Sequence, residues 1–197
     1  MKEKIGILLA DGHEEVEALT VVDYARRAGL RADMISITDQ LVVTGAHGIK
    51  ITADILLEEA QEEPYDLIAL PGGITGMQNL SDSQAVLKLL QTQDKEGRYV
   101  AAICAAPCVL EKAGLLAKRK GTCYPGFENG LSLAEYKTDL VVQDGNLITS
   151  RGPATAVYFA LYIVETILGQ KKRAEVEEGI LLPLVEDTIK DGTSNNQ

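Results

Sequence analysis

A chain of 197 residues, 46% of them apolar, has enough material for one medium-sized domain with a core covered on two sides. Nineteen Lys and Arg against 29 Asp and Glu give a net charge of -10, so the surface repels phosphate backbones and anionic lipid, and neither nucleic acid nor a membrane is a fitting partner. Three cysteines without framework spacing exclude a disulfide scaffold, and two histidines, His13 and His47, are too few for a zinc-type centre, so no metal or cofactor is expected.

In chain order, apolar runs of strand length alternate with segments of helical period, the pattern of a mostly parallel sheet with helices on both faces. Lys4–Ala10 reads as the first strand, too short for a signal-peptide core and followed by no cleavage site, which places the chain in the cytosol. Asp11-Gly12 turns into a helix over Glu14–Ala28, stopped by Gly29, with Glu14, Glu15 and Glu17 in its first turn and Arg26 and Arg27 in its last. Arg31–Ile37 is a second strand, and Leu41–Gly45 with Ile49–Thr52 forms a hairpin through Ala46-His47-Gly48. A short acidic helix from Leu56 to Glu63 precedes the buried strand Asp66–Leu70, which ends at Pro71-Gly72-Gly73. A helix over Ser83–Lys95 is capped by Ser81 or Asp82.

Tyr99–Ile103 is the next strand, followed by a helix over Pro107–Ala113 that stops at Gly114. After the basic patch Lys118–Lys120, the segment Gly121–Gly126 reads as a short strand and turn. Leu140–Gln143 and Leu147–Thr149 pair through Asp144-Gly145-Asn146. Pro153 opens an apolar helix to Leu168, and Thr155, Glu165 and Thr166 keep the run from Ala154 short of a membrane span. An amphipathic helix over Lys172–Ile189 and a frayed polar end over 191–197 complete a single domain of residues 1–190.

Three strands end in unusual loops: Ala10–His13, Pro71–Gly76 and Cys104–Pro107. Strand C-termini of a parallel sheet converge on one edge, where such folds bind ligands, so the three loops form one site. Cys104 lies between a strand and a helix opened by Pro107, the topology of a nucleophile elbow, among alanines that let backbones approach closely. Helix-start N–H groups there would lower the thiol below its usual range. A cysteine is also an ordinary small core residue; the strand-to-helix position is what favours the nucleophile. Cys108 and Cys123 lack that context and read as core or spare thiols.

Glu17, early in the first helix, is within reach of the same edge, and the residues alone do not decide whether it serves the site or the helix dipole, which is the fuller account for Glu14 and Glu15. Gly72-Gly73 is either a plain turn or a bare backbone donor for an oxyanion. The chain has neither of the glycine-rich signatures of nucleotide-binding loops.

These residues resemble the ThiJ/PfpI superfamily, in the branch of the Parkinsonism-associated protein deglycase. The resemblance is carried by Leu9-Ala-Asp-Gly-His-Glu-Glu-Val-Glu17, Arg26-Arg-Ala-Gly29, Tyr65-Asp66 through Leu70-Pro-Gly-Gly73, Gln78-Asn-Leu80, Ala101-Ala-Ile-Cys-Ala105 and Thr149-Ser-Arg-Gly-Pro153. It implies a flavodoxin-like fold and a homodimer. It also implies Cys104 as the reactive cysteine, Glu17 as its protonated acidic partner, and the N–H groups of Gly73 and Ala105 as oxyanion donors. Arg151 takes a structural role. Where relatives carry a histidine near the cysteine, this chain has Tyr124, a poor general base at neutral pH. Ala105 replaces the histidine of the peptidase branch, which argues against a Cys-His protease.

By the same resemblance His47 occupies a position whose side chain reaches the neighbouring subunit's site in a dimer, and His13 borders the first motif loop. For both, a solvated surface residue is the plainer reading. The implied function is cofactor-free chemistry on reactive carbonyls: glyoxalase-type conversion of methylglyoxal to lactate, or deglycation of early adducts. The alternative is an oxidation sensor or chaperone that uses a Cys104 sulfinate. A thiamine-pathway role lacks phosphate-binding residues.

Overall fold

The computed structural model describes residues 3–60 and 63–192. β1 (Lys4–Leu9), α1 (Glu15–Ala28) and β2 (Arg31–Ser36) come first, and then β3 (Val42–Thr44) and β4 (Lys50–Thr52) form an antiparallel hairpin outside the main sheet. β5 (Ile55–Leu56), α2 (Leu57–Ala60), β6 (Leu67–Leu70), α3 (Ile74–Asp82) and α4 (Gln84–Lys95) lead to β7 (Tyr99–Ile103) and α5 (Pro107–Lys112). The chain continues through β8 (Lys120–Gly121), β9 (Glu135–Tyr136), β10 (Val141–Asp144) and β11 (Leu147–Ser150). It closes with α6 (Ala156–Leu168), α7 (Gln170–Gly179) and α8 (Leu182–Lys190).

Seven strands form one sheet in the order β10-β11-β7-β6-β1-β2-β5, parallel except for the β10–β11 pair. Strand side chains alternate between faces, and the sequence fills both with apolar groups. Ile5, Ile7, Leu9, Leu67, Ala69, Ala101 and Ile103 pack with Val21 and Val22 of α1 and Phe159 and Ile163 of α6. Leu8, Ile68, Leu70, Val100 and Ala102 pack on the other side with Val86 and Leu90 of α4 and Val109 and Leu110 of α5. Each fully buried aliphatic side chain contributes about 1.5–3 kcal/mol, and register errors would turn one set toward the other's helices. This is the flavodoxin-like α/β sandwich expected from the alternating pattern. No helix among the described residues is long and apolar enough to cross a membrane.

Several elements differ from the sequence reading. The loop expected over Pro71–Gly76 runs into a full helix, α3. Gly76 sits inside it because a Cβ there would come within 2.7 Å of His13 Cα, so this glycine marks close packing rather than a turn. The cap of α4 is Ser83, whose side chain accepts the Val86 N–H at 3.3 Å, not Ser81 or Asp82. The single C-terminal helix is two: Leu181 takes a left-handed φ of 61° between α7 and α8. Pro183 then occupies the first turn of α8, where its missing N–H has no helical partner to lose.

The strand expected over Gly121–Gly126 is limited to Lys120–Gly121 and pairs with β9, which was not foreseen. The acidic helix begins one residue later than expected and spans only Leu57–Ala60; residues 61–62, and the polar end over 193–197, lie outside the described residues.

Candidate active site

Cys104 follows β7 directly and takes a left-handed backbone conformation, φ 64°, rare for a residue with a Cβ and costing about 1–3 kcal/mol. Flanking hydrogen bonds hold it there: its N–H donates to Ser150 O (3.1 Å), its carbonyl accepts the Tyr124 N–H (2.9 Å), and Ala106 N–H donates to Ile103 O (3.0 Å). Pro107 then opens α5. The elbow predicted from the strand-to-helix order is therefore present in the backbone.

Glu17 projects from α1, fully buried, and its Oε2 accepts the Gly72 N–H at 2.7 Å. Gly72 is the spacer between acid and thiol. A Cβ on it would lie 2.7 Å from Cys104 Cβ and 2.8 Å from Glu17 Oε2. Glu14 N–H donates to Gly72 O at 3.0 Å, so α1 and the loop after β6 are tied together from both sides. Gly73 has φ 85°, and a side chain there would run into the carbonyl of Gly12. The three loops thus meet as backbone against backbone, which is why two glycines follow Pro71.

Burial and the nearby Glu14 carboxylate raise the Glu17 carboxyl to about 7, against the Gly72 N–H and the Cys104 thiol, which favour its charged form. Burial first, then the charge and hydrogen bond of Glu17, push the Cys104 thiol up to about 12, while the N–H groups of Ala105 and Gly73 act the other way. This corrects the expectation of a thiol lowered by the helix start. α5 has only six residues and a short dipole, and a carboxylate beside a buried thiol outweighs it. The N–H groups of Gly73 and Ala105 act on the thiol in the direction that favours its ionised form, and Glu17 and Cys104 each shift the other's proton affinity.

The remaining candidates are placed less centrally. Tyr124 is exposed; its ring packs edge-on against Phe127, with centroids 6.4 Å apart, and lies beside Gly152. His13 is neither a surface residue nor solvated: it is fully buried, with Nδ1 2.9 Å from Ala10 O and Nε2 without a partner among the described residues. Its loop folds back under α3, an approach that no local pattern encodes.

His47 is exposed at its ring, yet its Nδ1 meets Glu15 Oε2 at 2.8 Å and its backbone N–H donates to Glu15 Oε1 at 2.8 Å. Those bonds lower the Glu15 carboxyl to about 2 in spite of burial. Glu15 is therefore a clasp for the β3–β4 hairpin, beyond the dipole role read from sequence. Glu14, Glu15 and His47 bring ligand-type atoms within 4.8 Å of one another, but both Glu15 oxygens are already used by the hairpin.

Arg151 donates to Thr138 O at 2.8 Å and to the Tyr136 hydroxyl at 3.4 Å, tying the segment around β9 to the end of β11. Cys108 is half-buried and Cys123 buried, and burial pushes both thiols up, Cys123 to about 11.

Residues 3–166 match the model of the DJ-1/PfpI family. The chain is 38% identical over 186 residues to Protein dj-1beta of Drosophila melanogaster, covering 92% of this chain and 98% of the relative. The crystal structure of that fly protein superposes with a TM-score of 0.88 at 38% identity, over 92% of this chain and 98% of the other. A Caenorhabditis elegans protein named Glutathione-independent glyoxalase DJR-1.2 is 35% identical over 173 residues, 87% of this chain and 91% of the relative. Protein DJ-1 homolog B of Arabidopsis thaliana is 37% identical over 180 residues, 91% of this chain; the chain spans only 41% of that longer relative.

Proposed function

The chain belongs to the DJ-1/PfpI family, and from that premise we propose that it is a cysteine-dependent enzyme that converts reactive carbonyls such as methylglyoxal, or the early adducts they form, without a cofactor. The observation that carries the reading is the coupled pair of Cys104 and Glu17, a strained thiol and a buried carboxyl near 7 that interact across Gly72.

A carboxyl near 7 suits the step that a raised thiol requires. As sulfur attacks the aldehyde carbon, the Glu17 carboxylate accepts the thiol proton and a C–S bond forms. The N–H groups of Gly73 and Ala105 stabilise the alkoxide, to which Glu17 returns the proton, giving a hemithioacetal. Glu17 then takes the C1 proton and delivers it to C2, while the C1 hydroxyl proton passes to the C2 oxygen, which turns the hemithioacetal into the lactoyl thioester. Water then cleaves the C–S bond, releasing lactate and restoring the thiol. The net change is methylglyoxal plus water to lactate. Tyr124, exposed at the rim, takes no proton in this scheme. A homodimer in the cytosol is the setting in which we place the reaction.

The test is lactate formation from methylglyoxal by wild type, Cys104→Ser and Glu17→Gln. Loss of activity in both variants, with a wild-type rate that rises as pH passes through about 7, is the expected result. Turnover that survives both substitutions overturns the mechanism. If wild type forms no lactate while mild peroxide adds two oxygens selectively at Cys104, oxidation sensing by that thiol replaces catalysis as the function.

A further inference from the structure

On the edge that carries the site, but on its other side, two cavities of about 400 and 330 Å³ share Ile37, Thr38 and Ser83 and so form one groove. Its floor is apolar, made by Ile37 after β2 with Leu56 and Leu57 where β5 passes into α2. Its rim is acidic, with Asp11 and Asp82 along one cavity and Asp39 and Glu58 along the other. Among the described residues, no Lys, Arg or His lines either cavity.

An excess of acid is general in a chain of net charge -10, so the placement of these carboxylates matters more than their number. Some acids elsewhere are paired, Asp23 with Arg27, Asp54 with Arg26, Asp94 with Arg119, Glu135 with Lys120 and Lys137, and Glu165 and Glu177 with Arg173, while others such as Glu111, Glu128 and Asp139 form no ion pair among the described residues; what sets the groove apart is that four carboxylates surround one apolar floor. Asp39, Glu58 and Asp82 form no ion pair among the described residues. Among the described residues the Asp11 carboxylate accepts only the Thr44 N–H, at 2.8 Å, and its carbonyl accepts from Asn79 at 2.8 Å.

We infer that this groove docks a lysine- or arginine-bearing polypeptide segment. Such side chains have an apolar stem and a cationic head, which match an apolar floor bounded by uncompensated carboxylates. The Thr38 hydroxyl is engaged with Gln40, the Asn79 amide N–H is given to Asp11 O, and the Ser83 oxygen caps α4; the Asn79 side-chain oxygen and the Ser83 hydroxyl proton are left to meet main-chain amides, which a simple polyamine does not present. The groove contains neither Cys104 nor Glu17, so its occupancy and the carbonyl chemistry stand or fall separately.

The test is fluorescence anisotropy with a labelled peptide of alternating lysine and small residues, at low and at physiological salt. Wild type binds it, and the triple variant Asp39→Asn/Glu58→Gln/Asp82→Asn loses on the order of tenfold in affinity, from three partly exposed charge contacts. The control triple Glu3→Gln/Glu178→Gln/Asp191→Asn, which removes the same charge from exposed positions elsewhere, stays within about twofold of wild type by the same reckoning. A double Asp39→Lys/Glu58→Lys variant rejects the lysine peptide and gains binding to its glutamate counterpart. Equal losses in both triples, equal binding of the acetyl-lysine peptide, or binding of spermine as tight as that of the peptide overturns the proposal.

Discussion

Replacing Glu17 by Gln tests the electrostatics of the site without reference to any substrate. In wild type the carboxyl is fully buried, with one N–H donor from Gly72 at 2.7 Å, and it titrates near 7 rather than near the ordinary 4.5. The folded protein therefore holds this proton more tightly than the unfolded chain. The stabilisation from the protonated acid is complete below pH 4.5, declines as pH rises toward about 7, and is gone above it. At 1.4 kcal/mol per pH unit, that interval corresponds to about 3 kcal/mol.

Gln keeps an acceptor for the Gly72 N–H and cannot ionise. The stability difference between Glu17→Gln and wild type should then shift by about 3 kcal/mol in favour of Gln between pH 4.5 and pH 8. Urea unfolding at five pH values, with slopes equal for the two proteins, measures it. Groups that do not interact with Glu17 cancel between the two chains, and burial keeps the Cys104 proton in place over this range. A difference that stays constant over this range would refute a raised Glu17, and with it the choice of Glu17 as the base.

Two further substitutions examine the supports of the site. Gly72→Ala places a Cβ 2.7 Å from Cys104 Cβ and 3.1 Å from Ala105 N, so unfolding should show a loss of about 1–3 kcal/mol together with loss of lactate formation; Gly29→Ala, with nothing within 4 Å but φ 91°, tests the backbone conformation alone and should keep its activity. Glu15→Ala removes the clasp on the hairpin, so amide exchange at His47 and Ile49, whose N–H groups Glu15 accepts, should accelerate while exchange within β1 does not. Because Glu15 is lowered to about 2, its contribution in wild type is present above pH 4.5 and fades as pH falls through about 2; hairpin amides that stay protected in acid would contradict this.

The strands were legible because both faces of the sheet demand apolar side chains, which left runs such as Ile5–Leu9 and Val100–Ile103 unmistakable. The elbow was legible from order alone, a cysteine between a strand and a proline-opened helix. Glu17 was not: among three glutamates in one helical turn, only the resemblance selected it, and only the Gly72 N–H distinguishes it physically. Glu15 was passed over as a dipole partner, although Gly45 held a clue, since any side chain there would collide with the Glu15 carboxylate. The burial of His13, the helix α3 and the proton affinity of Cys104 depend on approaches between distant segments, and local patterns do not carry that information.

The raised thiol and the raised acid have the same origin, and this bears on how the site can work. Both groups are displaced by burial first, and the burial comes from loops packed so closely that Gly72 and Gly73 have no room for side chains. A thiol fully ionised at rest would need a permanent cation or a long helix start, and the six-residue α5 is a weak source. In the proposed mechanism the carboxyl near 7 takes this part: the sulfur becomes reactive when an electrophile lets its proton move to Glu17. Loosening the loops would hydrate both groups and return each toward its ordinary value, separating the two proton affinities from the packing that couples them. The strain at Cys104 and the paired glycines are thus parts of one arrangement: close backbone packing buries acid and thiol together and raises the proton affinity of both.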